Sequence, residues 1–158
     1  MMSRERRLAK ALEPIKERYD FVLIDCPPSL GLLTLNALAA ANGVLVPIQC
    51  EFYALEGLAQ LLQVVDMVKE HLNDELAIQG VVLTLHDSRL NLSEQVAAEV
   101  KQHFGEVVYK SIIPRSVKLA EAPSYGQPIT VYAAGSKGAE AYLQLAAEVI
   151  EREQAGSR

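Results

Sequence analysis

Short apolar runs alternate with amphipathic segments along the whole chain. Four runs are mostly apolar: 21–24, 44–48, 78–85 and 107–113. An apolar run without polar alternation is typical of a strand that is buried on both faces, as in a parallel sheet. Apolar residues at helical spacing predict helices over residues 2–18, 32–41, 54–72, 91–104 and 136–152. This alternation predicts a doubly wound α/β fold with a mainly parallel sheet.

The length and composition indicate one folded domain. The chain has 158 residues, which suits a single domain over 1–158 with its own core. Half of its residues are hydrophobic, which excludes a disordered chain. The longest uncharged stretch, 26–50, is interrupted by prolines and glycines, so we expect no membrane span. Prolines and glycines also break the stretch 115–135, which we expect to be irregular.

Charge and cysteine content narrow the class of protein further. The formal net charge of -5 excludes a generally basic nucleic-acid binder but leaves room for a local basic patch. Cys26 and Cys50 are too few for a disulfide framework, and both lie in apolar segments, where we expect buried, reduced thiols. The basic residues of the N-terminus precede no signal-peptide core. We therefore expect a cytoplasmic protein.

One apolar run ends in a candidate metal ligand. Phe21–Ile24 is followed by Asp25, which is the form of a Walker B element. In such an element a buried strand places a carboxylate oxygen beside the Mg²⁺ of a bound phosphate, directly or through water. Many α/β strands instead end in an aspartate that caps the next helix. Taken alone, the strand leaves both alternatives open.

The surrounding residues resemble one family. Residues 19–31 (YDFVLIDCPPSLG) closely resemble the Walker B region of the ParA/Soj chromosome-partitioning ATPases, members of the deviant Walker A P-loop superfamily. The resemblance continues in order through further blocks: 81–84, 87–89, 91–93, 113–119, 121–124 and 138–142. It therefore extends over nearly the whole chain, and it implies a P-loop NTPase-like fold.

One motif of that family does not occur in this sequence. The family binds triphosphate with an N-terminal glycine-rich loop, in which backbone N–H groups and a lysine surround the phosphates. The sequence contains no Gly-x4-Gly-Lys-[Ser/Thr], and Gly135–Gly138 has the wrong residue order. We therefore interpret the chain as the C-terminal part of a ParA-like ATPase domain. We expect this part to be inactive on its own.

The resemblance implies a set of nucleotide-binding residues. Asp25 would lie beside Mg²⁺ and the γ-phosphate of ATP, bound to the metal through water. Thr84, Pro114 and Arg115 would line the adenine side. A proline ring and an arginine stem offer flat apolar surface to a purine, although Pro114-Arg115 could equally be a turn that ends a strand. ATP and Mg²⁺ are thus the implied cofactors of the intact family protein.

The resemblance also implies DNA and protein partners. Arg89 and Lys118 match basic positions that the family uses for nonspecific DNA binding, in which phosphate neutralisation carries no base information. In this family ATP drives homodimerisation and DNA binding, and a ParB-like partner stimulates hydrolysis. The implied location is the nucleoid.

Two other functions are compatible with parts of the sequence. The chain could be a noncatalytic module that binds DNA or a partner protein. It could also be a MinD-like ATPase that cycles on and off a membrane. That class ends in a basic amphipathic helix, whereas residues 151–158 lack apolar anchors and a strong basic face. The sequence therefore favours the partitioning function.

Overall fold

The computed structural model describes residues 4–27, 29 and 31–156. Strands and helices alternate through most of this part of the chain. The strands are β1 (Gly43–Gln49), β2 (Ala77–His86) and β3 (Val108–Pro114). The α-helices are α1 (Arg7–Leu12), α2 (Leu32–Ala40), α3 (Ala54–His71), α4 (Asn91–Phe104), α5 (Val117–Glu121), α6 (Ile129–Tyr132) and α7 (Lys137–Gly156).

The strands form one sheet in the order β1-β2-β3. β2 and β3 are parallel, and their register pairs Val81 with Val108 and His86 with Pro114. Parallel neighbours need a crossover connection, which contains α4 here. The predicted α/β fold, a parallel sheet flanked by helices, is confirmed. Three predicted strands are present: 44–48, 78–85 and 107–113.

The first predicted strand is absent. Phe21–Ile24 has no regular secondary structure, and Leu23 is 90% exposed. The prediction that a buried strand positions Asp25 is therefore wrong. A strand requires a neighbour that satisfies its backbone hydrogen bonds. Phe21–Ile24 pairs with none of the three strands of the sheet among the described residues.

The N-terminal helix is shorter than predicted. The predicted start of helix 2–18 lies outside the described residues, and α1 ends at Leu12. Pro14 explains this end, because proline lacks a backbone N–H and its ring clashes with the preceding helical turn. A short 3₁₀ turn, Lys16–Arg18, follows it. The helical spacing of apolar residues therefore continues beyond the helix itself.

The stretch 115–135 is more regular than predicted. It contains α5, a 3₁₀ turn at Ala122–Tyr125, and α6. The buried side chains of Ala122, Ile129 and Ala139 pack together and hold these short helices. Short helices depend on such tertiary packing, which a local pattern of prolines and glycines does not reveal.

The chain divides into two compact units by its contacts. The first consists of the residues through Val44 together with Gly57–Gln79. In this unit the Asn73 side-chain amide donates hydrogen bonds to the carbonyl oxygens of Leu38 and Ala41, at 3.0 and 2.8 Å. These bonds satisfy carbonyl groups at the end of α2. The core of the unit contains Leu38, Val64, Val65, Val68 and Leu76.

The second unit consists of Leu45–Glu56 and the residues from Gly80 onward. One face of its sheet packs against α7 through buried side chains: Val82, Tyr109, Ile113, Ala141 and Leu145. Five of the six predicted site residues belong to this unit: Thr84, Arg89, Pro114, Arg115 and Lys118. No helix among the described residues is long and apolar enough to cross a membrane.

Candidate functional site

The carboxyl ends of β2 and β3 lie side by side. His86 and Pro114 end these strands and are register partners, and the Arg115 N–H donates to the His86 carbonyl oxygen at 2.9 Å. Ligands of open α/β sheets bind at this edge. The register places Thr84, two residues before His86, on the strand next to Pro114 and Arg115.

Thr84 is half-buried and bonded to β1. Its hydroxyl donates to the Ile48 carbonyl oxygen at 3.2 Å, and its own carbonyl accepts the Cys50 N–H at 2.9 Å. The hydroxyl proton therefore already forms a hydrogen bond with the backbone of β1. The hydroxyl oxygen keeps acceptor capacity for a ligand donor such as an amino group.

The Arg115 guanidinium forms an ion pair with Glu51, which follows β1. Both side chains are about half exposed, so the pair contributes at most about 1 kcal/mol. Glu51 was not predicted as a site residue. The two residues are 64 positions apart in sequence, and no local pattern links them.

The backbone is strained between Thr84 and His86. Leu85 has a φ of 51°, a left-handed conformation that costs a non-glycine residue about 1–2 kcal/mol. The β2–β3 register is irregular between the Leu83 and His86 pairings. The strained residue therefore lies at the register irregularity of β2, next to the carboxyl end of that strand.

Arg89 is held by Asp87. The guanidinium Nε and Nη2 donate to the two oxygens of the Asp87 carboxylate at 2.9 and 2.7 Å, and the Arg89 N–H donates to Oδ1 at 3.1 Å. These bonds hold the pKa of Asp87 well below its usual range, and the nearby charge of Arg115 adds to the effect. The Arg89 side chain is 85% exposed, whereas that of Asp87 is 11% exposed.

Lys118 is held by Glu121. The ammonium group lies 2.9 Å from Glu121 Oε2, which also accepts the Tyr132 hydroxyl at 2.8 Å. The hydrogen bond and charge of Glu121 raise the pKa of Lys118, and the same contacts lower the pKa of Glu121. Tyr132 in turn stacks on Tyr125. This pair was not predicted from the sequence, although the spacing of three residues within α5 is a signal that could have indicated it.

Asp25 lies in the first unit and is exposed. Pro28 and Leu30, which belong to the Walker B resemblance in the sequence, lie outside the described residues. Cys26 is also exposed, so the prediction of a buried thiol there is wrong, whereas Cys50 is buried as predicted. The exposure of Cys26 follows from the absent strand.

The donor atoms suit a magnesium ion held largely by phosphate and water. The described residues contain no cluster of three or more histidine, cysteine or acidic side chains that could hold a metal by itself. Mg²⁺ at a nucleotide usually takes one or two protein carboxylates and completes its shell with phosphate oxygens and water. A single carboxylate such as Asp25 fits that requirement.

Curated relatives share most of this sequence. The chain is 59% identical over 148 residues to the sporulation initiation inhibitor protein Soj of Bacillus subtilis. It is 54% identical over 151 residues to the chromosome partitioning protein ParA of Myxococcus xanthus. This chain is a homologue of the Soj and ParA partitioning proteins. The resemblance inferred from the sequence motifs is thus confirmed. The AAA_31 family model, described as an AAA domain, matches residues 1–78.

A solved structure shows the same architecture. Cobyrinic acid a,c-diamide synthase from Mycobacterium smegmatis, with a bound ATP analogue and magnesium, matches 99% of this chain and 57% of its own. The TM-score is 0.83 and the sequence identity is 36%. The alignments with Soj and ParA cover 94% and 96% of this chain but only 58% and 53% of those proteins. The chain therefore spans little more than half of the length of these relatives.

Proposed function

We propose that this chain is the C-terminal part of a ParA/Soj-type partitioning ATPase and contributes its DNA-binding surface and adenine-facing edge. The homology to Soj and ParA supports the family part of this proposal. One observation carries the DNA-binding part. The side chains of Arg89 and Lys118 are 85% and 54% exposed, in the segments that follow β2 and β3 of the same unit.

Phosphate neutralisation is the mechanism that these side chains support. Contacts of arginine and lysine with DNA phosphates carry no base information, and the release of counterions makes such binding strongly salt-dependent. With a net charge of -5, the chain can attract DNA only through a local patch. We therefore expect weak, sequence-independent binding by the isolated chain.

The nucleotide part of the proposal rests on the carboxyl edge. The ring of Pro114 and the stem of Arg115 offer apolar surface to a purine, and the Thr84 hydroxyl oxygen remains able to accept a hydrogen bond. Asp25 would provide a carboxylate oxygen to the Mg²⁺ shell, through water. Bound ATP would supply the γ-phosphoryl group that is transferred to water.

Hydrolysis, dimerisation and regulation belong in this proposal to the whole protein. Because this sequence contains no phosphate-binding Gly-x4-Gly-Lys-[Ser/Thr] loop, the chain alone is expected not to hydrolyse ATP. The whole protein would form an ATP-dependent homodimer on nucleoid DNA. A ParB-like partner would stimulate its hydrolysis and thereby release it.

Replacing Arg89 with alanine is expected to weaken DNA binding equally on duplexes of unrelated sequence. One phosphate contact disappears, so the slope of log affinity against log salt should become shallower by about 1. The variant also leaves the Asp87 carboxylate without its guanidinium, which adds repulsion of phosphate. Fluorescence anisotropy with two labelled duplexes, over a salt series, measures both effects.

Lys118→Ala should behave in the same way, because its ammonium is the second phosphate-binding group. Lys69→Ala is the matched control, since it removes one exposed positive charge from α3 in the other unit and should leave DNA affinity unchanged. A loss of affinity confined to one of the two duplexes would contradict a role limited to phosphate.

A further inference from the structure

Both cations proposed to bind DNA are paired with carboxylates of the same unit. Arg89 is paired with Asp87, and Lys118 is paired with Glu121. Each positive charge thus has its own carboxylate within the same unit. A surface that binds DNA by charge alone would be expected to carry unpaired cations. The pairing therefore requires an explanation in terms of that function.

The two pairs at the predicted DNA contacts use the donors that a phosphate would need. Arg89 offers Nε and Nη2 to Asp87 in the bidentate arrangement that guanidinium groups also use with phosphate. Lys118 directs its ammonium to Glu121 at 2.9 Å and lies 5.6 Å from the centre of the Tyr132 ring. A phosphate at either position must share or replace a carboxylate.

We propose that Asp87 and Glu121 are intramolecular competitors of DNA phosphate that hold Arg89 and Lys118 until a DNA backbone displaces them. This inference rests on the proposed DNA-binding function and concerns its regulation. The competition keeps binding weak and readily reversible. It also makes the strength of binding depend on two acidic residues that never need to touch DNA.

The cation of each pair is exposed, so a phosphate can reach it. The Lys118–Glu121 pair is exposed on both sides and contributes little to stability, so a phosphate can replace the Glu121 carboxylate at small cost. Asp87 is the stronger competitor, because its side chain is largely buried and accepts three hydrogen bonds from Arg89. Removing its charge should therefore have the larger effect.

Two nearly isosteric variants test the inference. Asp87→Asn keeps Oδ1, which accepts the Arg89 N–H and preserves the local turn, but it removes the charge that binds the guanidinium. Glu121→Gln keeps an oxygen for the Tyr132 hydroxyl and removes the charge that binds Lys118. Circular dichroism and thermal melting measure whether each variant is folded.

The measurement is the affinity of the purified chain for a short duplex over a salt series. Each variant should bind about two- to fivefold more tightly than the wild type at low salt. The salt slope should stay close to that of the wild type, because Arg89 and Lys118 meet phosphate in every complex and only the competing carboxylate charge is lost. Asp66→Asn on α3 is the matched control: it makes the same change in net charge at an exposed site in the other unit and should have no effect.

The outcomes separate this inference from the proposed function. If the wild type binds DNA and neither variant binds more tightly than the Asp66→Asn control, the competition is refuted while DNA binding stands. If the wild type and both variants all fail to bind, the DNA-binding proposal fails, and the inference fails with it. Tighter binding by folded Asp87→Asn or Glu121→Gln, with no gain in the control, supports it.

Discussion

Replacing Gly80 with alanine is expected to lower the free energy of unfolding by about 1–3 kcal/mol, the range for overpacking a core. Gly80 lies in β2, and a methyl group there would fall 2.0 Å from Cε2 and 2.5 Å from Cζ of Tyr109. The Tyr109 ring is 1% exposed and packs in the core, with the Arg152 guanidinium 4.1 Å from its centre. Because the ring cannot move outward freely, we expect a loss near the upper end of this range.

Urea denaturation followed by circular dichroism measures the loss. Gly57→Ala is the control, because nothing lies within 4 Å of a methyl group at that helical position. In the interior of α3 that substitution should instead stabilise the protein by up to about 1 kcal/mol. Gly80→Ala combined with Tyr109→Leu should lose less stability than the sum of the single variants, since the smaller side chain leaves room for the methyl group. A Gly80→Ala variant as stable as the wild type would contradict the close approach of Gly80 and the Tyr109 ring.

Replacing Glu148 with alanine is expected to destabilise the protein by about 2–4 kcal/mol, because charged hydrogen bonds are lost and donors are left unpaired. The Glu148 carboxylate accepts the N–H groups of Lys110 and Ser111 at 2.8 and 3.0 Å. It also accepts the Ser111 hydroxyl and an Arg152 N–H at 3.0 and 2.9 Å. Its side chain is only 14% exposed.

A bulge in β3 explains why the Glu148 carboxylate is needed for stability. Val81 pairs with Val108 and Leu83 with Ile112, so three residues of β3 face the single residue Val82 of β2. A bulge frees backbone N–H groups from the strand ladder, and Glu148 accepts two of them. Glu151→Ala, which removes an exposed carboxylate from the same helix, should change stability by less than about 0.5 kcal/mol.

The same contact predicts a pH dependence. Burial alone would raise the pKa of Glu148. Hydrogen bonds from the backbone N–H groups of Lys110 and Ser111, and from the side chains of Ser111 and Arg152, outweigh this effect and lower the pKa below its ordinary value of 4.5. The stabilisation is therefore fully present above that ordinary value and is lost as the pH falls through the lower folded-state value. Glu148→Gln should be less stable than the wild type at neutral pH, and the difference should shrink in acid. A difference that stays constant down to acidic pH would argue against the ionised carboxylate as the cause.

The sequence patterns predicted the elements whose signals are local. The runs at 44–48, 78–85 and 107–113 are strands because each combines high β propensity with burial by neighbours that this chain provides. The run Phe21–Ile24 has the same composition but no strand beside it among the described residues, and composition alone cannot show whether a pairing partner is present.

The candidate site could be predicted only as far as the family resemblance reaches. The resemblance indicated Thr84, Pro114 and Arg115, and the register places them on neighbouring strands, but their contact with a nucleotide stays a prediction. The carboxylates that hold the basic residues were not predicted. Glu51 is distant in sequence from Arg115, so only the fold brings the two together. Asp87 is two residues from Arg89, but whether that neighbour pairs with the guanidinium depends on the local turn.

DNA binding through the phosphate backbone is the function proposed for this chain. The most direct measurement is the affinity of the wild-type chain for two duplexes of equal length and unrelated sequence, over a series of salt concentrations. We expect equal affinities on both duplexes, with log affinity falling linearly with log salt. Affinity for only one duplex, affinity that is insensitive to salt, or no binding at low salt would contradict it.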